Sequence, residues 1–376
     1  MRLTFPWLVG GALLLLGGSA PAEILDPGDP PLGLPPVPVP EENPITKAKV
    51  ELGEQLFKEK RFSGNGSISC SHCHKPQMAF TDGLPIAQGI RGKKGTRHTP
   101  TVINAVYYKT QFWDGRRESL ETQALDPLTN PVEHGLKSHG AVLDVVRDDA
   151  DYREQFREVF GVAPGDIKIG HVTKAIAAFE RTQVSGNSPF DRYLFGGEQD
   201  AISESAKRGL KIFRNKGRCV DCHTIEQNYA TFTDNEFHNL GVGFDRIRDE
   251  LFTLVDSFRR MKQQDKKGDI DNKVLTDKKV TELGRFAVTL DPQDVGRFKT
   301  PTLRNVAVTP PYMHDGSEET LMEVVKFYNR GGNQNPLLDG GIKQLDLTEQ
   351  EQLDLVNFMK TLTSPRFSHL AKDGGK

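Results

Sequence analysis

The sequence predicts a mainly α-helical protein made of two related domains. Three observations carry the prediction. Helix start and stop signals recur along the chain, while strand-like alternation is scarce. A stretch of the first half returns in the second half in an ungapped register. All four cysteines fall in two copies of one pentapeptide pattern. A length of 376 residues suits two domains, or three, and is enough to bury a core. The formal net charge of -2 implies no basic face for nucleic acid, and 27% charged residues argue against a membrane bundle.

Residues 1–22 read as a secretory signal peptide. Arg2 supplies a weak positive start, Leu8 to Leu16 the apolar run and Ala20-Pro21-Ala22 a small-residue cleavage site. The run is short for a membrane span, which makes an uncleaved anchor the lesser reading. Export places the mature chain in a bacterial periplasm, without stable membrane insertion. Residues 23–44 form a Pro-rich leader, in which Pro35-Pro36-Val37-Pro38-Val39-Pro40 favours extended polyproline conformation. The leader reads as a tether before the first domain.

Leu52-Gly53-Glu54-Gln55-Leu56-Phe57 reads as a short amphipathic helix leading to Cys70-Ser71-His72-Cys73-His74. Gly209-Leu210-Lys211-Ile212-Phe213 leads in the same way to Cys219-Val220-Asp221-Cys222-His223. C-x-x-C-H is the attachment signature of c-type haem. The two thiols form thioethers with the haem vinyls, and His74 or His223 supplies the proximal imidazole. A shared zinc site, redox-active dithiols and two structural disulfides are the competing readings. Two complete copies in an exported chain with no other cysteine favour two covalently bound haem c groups.

Downstream of each motif the repeat is clearer. Thr99-Pro100-Thr101-Val102-Ile103-Asn104 parallels Thr300-Pro301-Thr302-Leu303-Arg304-Asn305. Fourteen residues on, Trp113-Asp114-Gly115 parallels His314-Asp315-Gly316, and seven further Leu120 meets Leu321. Another seven bring Pro127 opposite Tyr328. Tyr can ligate haem iron and Pro has no donor atom, so the two haems are expected to be unlike. Leu321, Val324, Val325 and Tyr328 also follow helical spacing, which leaves a core aromatic as the other reading of Tyr328. Met313 and Met322 are rival ligands nearby.

Thr348-x-x-Glu351 forms a capping box ahead of a helix with Leu353, Val356 and Met359 on its apolar face. The N-terminal domain is assigned to 45–190 and the C-terminal domain to 191–376, divided in the Gly-, Ser- and Asn-containing stretch around Ser185 to Asp200. The second domain carries a charged insertion at about 245–285, because 77 residues separate His223 from Thr300 against 25 between His74 and Thr99. The insertion reads as a solvated helical hairpin or loop rather than a partner site.

Several longer motifs carry a family resemblance. They are Gln111-Phe112-Trp113-Asp114-Gly115-Arg116, Phe237-His238-Asn239-Leu240-Gly241, Phe298-Lys299-Thr300-Pro301-Thr302-Leu303-Arg304-Asn305 and Pro310-Pro311-Tyr312-Met313-His314-Asp315-Gly316. With both C-x-x-C-H motifs, they make nearly all of the mature chain resemble the bacterial di-haem cytochrome c peroxidases, including the MauG branch.

The resemblance implies two cytochrome c-like helical domains. It implies an N-terminal haem that reacts with hydrogen peroxide and a C-terminal haem that relays electrons. Trp113 matches the Trp between the haems, with ordinary packing as its other reading. Gln123 and Glu133 match the peroxide pocket, where a confined carboxylate can take and return a proton. The position of a removable His ligand is Ile90, and the loop Gly89 to Thr96 offers no His. His98, just beyond it, is the remaining alternative. Tyr328 stands where many members carry a Met iron ligand, as in the MauG branch. Asn215-Lys216-Gly217-Arg218 lacks the surface Trp that MauG uses on its partner. Thr309 and Pro311 match carbonyl ligands of a calcium ion, but His98 replaces the usual Asn and suits calcium poorly. The implied activity is that of a periplasmic peroxidase of EC 1.11.1 type, fed by a small cytochrome c or cupredoxin. A MauG-like oxidase of a protein substrate and a non-catalytic di-haem electron carrier are the rivals.

Overall fold

A computed structural model describes residues 30–265 and 270–371. The expected signal peptide and the start of the leader lie outside these residues. Short α- and 3-10 helices dominate, joined by long ordered loops. The one sheet among the described residues is a two-residue antiparallel ladder, Phe237–His238 against Phe298–Lys299, which joins two of the family motifs.

Each half is built on a crossed helix pair. Helix Lys47–Phe57 packs on Ile169–Arg181, and Glu204–Arg214 packs on Glu349–Lys360. Glycine permits both close approaches. A Cβ at Gly53 would lie 2.0 Å from Ala175 O, and one at Gly209 would lie 2.0 Å from Asp354 O. The first pair buries Leu52, Leu56, Phe57 and Phe179 in one apolar cluster. The second buries Phe213, Leu355 and Phe358 in another. The Thr348–Glu351 capping box forms as expected.

The local geometry also matches between halves. Asn104 and Asn305 both take left-handed backbone, and their side-chain oxygens accept from Ser185 N at 2.8 Å and Ser364 N at 2.9 Å. The two serine hydroxyls then hydrogen-bond each other in the buried seam.

The link between the halves and the segment near residue 367 each pack across the divide. Helix Pro189–Leu194 sends Phe190 into the second cluster, whereas Phe367, near the C-terminus, packs in the first. The leader is docked rather than a free tether. Extended polyproline segments satisfy none of their own carbonyls, and here the carbonyls find donors elsewhere. Tyr107 Oη donates to Pro35 O at 3.0 Å, Ala230 N to Gly33 O at 3.0 Å and Asn187 N to Leu32 O at 2.8 Å. Arg304 also reaches Gly33 O while pairing with Asp191 through two 2.9 Å contacts, all out of solvent.

The insertion also departs from expectation. Its helices Leu251–Gln264 and Ile270–Thr276 supply Phe258 and Val274 to a third apolar cluster with Phe244, Leu283 and Phe286. The insertion is helical, but it packs an apolar cluster of its own and buries Glu282, so it is a packed element rather than a solvated hairpin or loop.

Candidate active site: two cavities and the wall between them

Each C-x-x-C-H motif opens onto its own cavity. The first is lined by Cys73 and His74 together with Gln123, Pro127 and Glu133. Cys70 packs against the edge of the first apolar cluster. The second cavity is lined by Cys219, Cys222, His223, Met313 and Tyr328. Met322 lies against the second apolar cluster instead.

The donor sets fit haem c. Phe80 O holds His74 Nδ1 at 3.2 Å, and Phe232 O holds His223 Nδ1 at 2.9 Å. Such a bond to Nδ1 leaves Nε2 for a metal. Burial pushes both imidazoles down from their ordinary pKa, which keeps them neutral as ligation requires. No disulfide engages the four thiols.

Gln123 ends the short helix Leu120–Gln123, fixed by a Ser119–Thr122 capping box. Glu133 lies in the turn after Asn130. Asn130 is fully buried and donates Nδ2 to Glu133 Oε1 at 2.8 Å. Ile90 N donates to Glu133 O at 2.8 Å, while the Ile90 side chain packs beside Gly135, away from the cavity lining. Enclosure by the surrounding protein pushes the Glu133 carboxyl up to about 7, against the opposing pull of Arg116.

On the opposite side, Tyr328 lies in the last turn of the helix Leu321–Asn329, after which Gly331 and Gly332 take left-handed backbone. Its hydroxyl makes no hydrogen bond among the described residues. Burial holds the phenol proton well above its usual range.

The cavities share one wall, to which His98, Tyr108, Trp113, Lys299 and Pro301 all contribute. Trp113 Nε1 donates to His98 O at 3.0 Å, and its carbonyl accepts from Lys299 N at 2.8 Å. His98 Nδ1 is occupied by Leu84 O at 2.8 Å. Asp114, next to Trp113, is buried. Burial opposes its ionisation, but Arg116 and Arg97 together hold it well below the usual carboxylate range.

Sequence reasoning did not single out several residues of this region. Lys299 is buried with no ion pair among the described residues, its Nζ 3.6 Å from the Tyr108 ring centre, and burial pulls it down to about 7 against the opposing pull of Asp114. Glu180 lines the first cavity, finds no partner for Oε2 and is pushed up to about 8 by burial. His238, beside the second cavity, is held between Asp234 at 2.9 Å and Asp339 at 2.7 Å. A Lys or Glu is usually solvated, so nothing in the chain marked Glu180. Lys299 and His238 each stood inside a quoted motif without a role.

Comparison with known proteins identifies the family. The family model described as di-haem cytochrome c peroxidase matches residues 47–199. The cytochrome-c peroxidase IdrP1 of Denitromonas iodatirespirans is 39% identical, over 92% of this chain and 89% of its own. The methylamine utilization protein MauG of Methylorubrum extorquens is 37% identical, over 87% of this chain and 81% of its own. Among solved structures, a MauG-like protein associated with microbial copper homeostasis matches with a TM-score of 0.73 at 34% identity, over 91% of this chain and 98% of its own. The chain therefore belongs to the di-haem cytochrome c peroxidase family, as an oxidoreductase acting on peroxide with two c-type haems.

Proposed function

We propose that this is a periplasmic enzyme that reduces hydrogen peroxide in its first cavity and transfers electrons through its second. One observation carries the assignment. Glu133, pushed up to about 7, shares the first cavity with His74 and Gln123, while the second cavity faces a phenol.

Cys70, Cys73 and His74 would hold the first haem, and Cys219, Cys222, His223 and Tyr328 the second. Bound haem supplies the redox-active iron, and the protein manages the protons. Asn130 engages Glu133 Oε1, so Oε2 is the atom that takes a proton from peroxide and returns it to the departing oxygen. A midpoint near 7 keeps both transfers close to balance. The Gln123 amide orients the oxygens with its N–H donors and carbonyl acceptor. Trp113, the indole in the shared wall, is the proposed electron path. Tyr328 would hold the second haem's iron as a phenolate, whose negative charge would favour oxidised over reduced iron.

The ungapped register and the matched Gly53/Gly209 and Asn104/Asn305 geometry support an origin by internal duplication. The boundary near residue 190 and export by the N-terminal signal remain part of this proposal, as does a small cytochrome c or cupredoxin donor. Calcium rests on the Thr309 and Pro311 carbonyls alone, since His98 directs Nδ1 at Leu84. A second reading, oxidation of a protein substrate, draws support from the MauG-like relatives. It lacks a Trp at the second-cavity edge, which Gly217 and Arg218 form.

Stopped-flow mixing of the all-ferric protein with hydrogen peroxide tests the main proposal. Rapid spectral change at the first haem is expected. No reaction until one haem has been reduced would overturn it.

A further inference from the structure

The insertion does more than fill its own apolar cluster. Helix Ile270–Thr276 and the turn Val280–Leu283 press on the first half of the chain. Thr96 Oγ1 donates to Val274 O at 3.2 Å and lies 3.0 Å from Thr281 Oγ1. Arg97 Nε donates to Thr281 Oγ1 at 2.9 Å, and Arg97 Nη2 donates to Thr281 O at 3.1 Å. Thr96, Arg97, Val274 and Thr281 are all buried. The same Arg97 reaches Asp114 with Nη1 at 2.8 Å, next to Trp113.

This clamp grips the edge of the first cavity. Gly95, Thr96, Arg97 and Leu275 all line the cavity that holds His74, Gln123 and Glu133. A seven-residue helix is not stable by itself. The place of Leu275 is therefore set by its neighbour Val274 in the third cluster and by the hydroxyl and backbone of Thr281. Leu275 offers the cavity no hydrogen bond and no charge. What it contributes is volume.

We propose that Leu275 is a specificity-determining residue of the first cavity. Held by the Thr281 clamp, it admits hydrogen peroxide and excludes bulky organic hydroperoxides. The inference rests on the reading that peroxide reacts in that cavity.

The test uses the mature protein with both haems attached. The ferric protein is titrated with cyanide and with 4-phenylimidazole, followed by the Soret band. In parallel it is mixed with hydrogen peroxide and with cumene hydroperoxide. Leu275→Ala is expected to raise affinity for 4-phenylimidazole and relative reactivity toward cumene hydroperoxide by roughly tenfold or more. The quantities read are the ratio of 4-phenylimidazole to cyanide affinity and the ratio of cumene hydroperoxide to hydrogen peroxide rates. Thr281→Val is expected to act in the same direction and to speed amide exchange at Thr96 and Arg97. Leu275→Phe should narrow the site and weaken 4-phenylimidazole binding, which keeps the test decisive if the Ala variant fails to load haem.

A fully loaded Leu275→Ala protein that binds cyanide normally, with an unchanged preference between large and small ligands, overturns the inference alone. A wild-type first haem that reacts with neither cyanide nor hydrogen peroxide overturns the peroxide-site reading, and this inference with it.

Discussion

Replacing Glu133 by Gln removes a proton acceptor while nearly keeping its shape. The Gln carbonyl still accepts from Asn130 Nδ2, which lies 2.8 Å from Oε1 in the native side chain. Enclosure sets the native carboxyl at about 7, mainly because its anion loses solvation. A group with that midpoint is roughly 9% ionised at pH 6 and roughly 91% at pH 8. If the carboxylate takes the first proton from peroxide, the second-order rate constant rises about tenfold between those values and then levels. The Gln variant should lose about 10²- to 10⁴-fold in rate, roughly 3–5 kcal/mol of barrier, and its pH profile should flatten. Stopped-flow absorbance of the all-ferric protein between pH 5.5 and 8.5 measures both quantities (about 7 being the expected midpoint). A Gln variant within about threefold of wild type that keeps the same pH rise would refute Glu133 as the base.

Four further outcomes follow from the same geometry. Arg304→Met leaves the Asp191 carboxylate buried without its partner and should cost about 3–5 kcal/mol by denaturant unfolding; a loss below about 1 kcal/mol would contradict the buried pairing. Tyr328→Phe removes the phenol from the second cavity and should add a second high-spin ferric signal to the EPR spectrum; an unchanged spectrum would rule out Tyr328 as a ligand. Glu180 is raised to about 8 from 4.5, so its contribution to stability is present below 4.5 and lost as pH rises toward 8. Glu180→Gln should therefore gain on wild type across that window, by a few kcal/mol in order of magnitude, as read by urea unfolding at both ends; parallel curves would count against it. Trp113→Phe should leave the initial peroxide reaction in place and slow the arrival of oxidising equivalents at the second haem, and equal rates there would exclude the indole as the path.

Much of the site was legible in the chain because its chemistry is local. A C-x-x-C-H pentapeptide carries its haem attachment within five residues, and His74 and His223 follow at once. The Thr348–Glu351 box is local too, satisfied within one turn of backbone. The repeat needed only register. It set Pro127 against Tyr328, and these now line opposite cavities. Gln123 and Glu133 were reached through resemblance, since an isolated Glu carries no mark of its surroundings.

The tertiary structure decided what depends on burial and on distant partners. A Pro-rich segment reads as a tether until donors such as Tyr107 and Ala230 are brought to its carbonyls. A charged insertion reads as solvated until Phe258 and Val274 turn inward and Thr281 meets Arg97. Lys299, Glu180 and Glu133 acquire their unusual proton affinities only when packing strips water from them. Covalent spacing, caps and register are properties of neighbouring residues, so the sequence determined them alone. Cavity walls and shifted proton affinities arise from residues distant in the chain, such as Lys299 and Thr110, which are 189 positions apart and joined by a bond from Lys299 to Thr110 O, and only the folded chain brings such residues together.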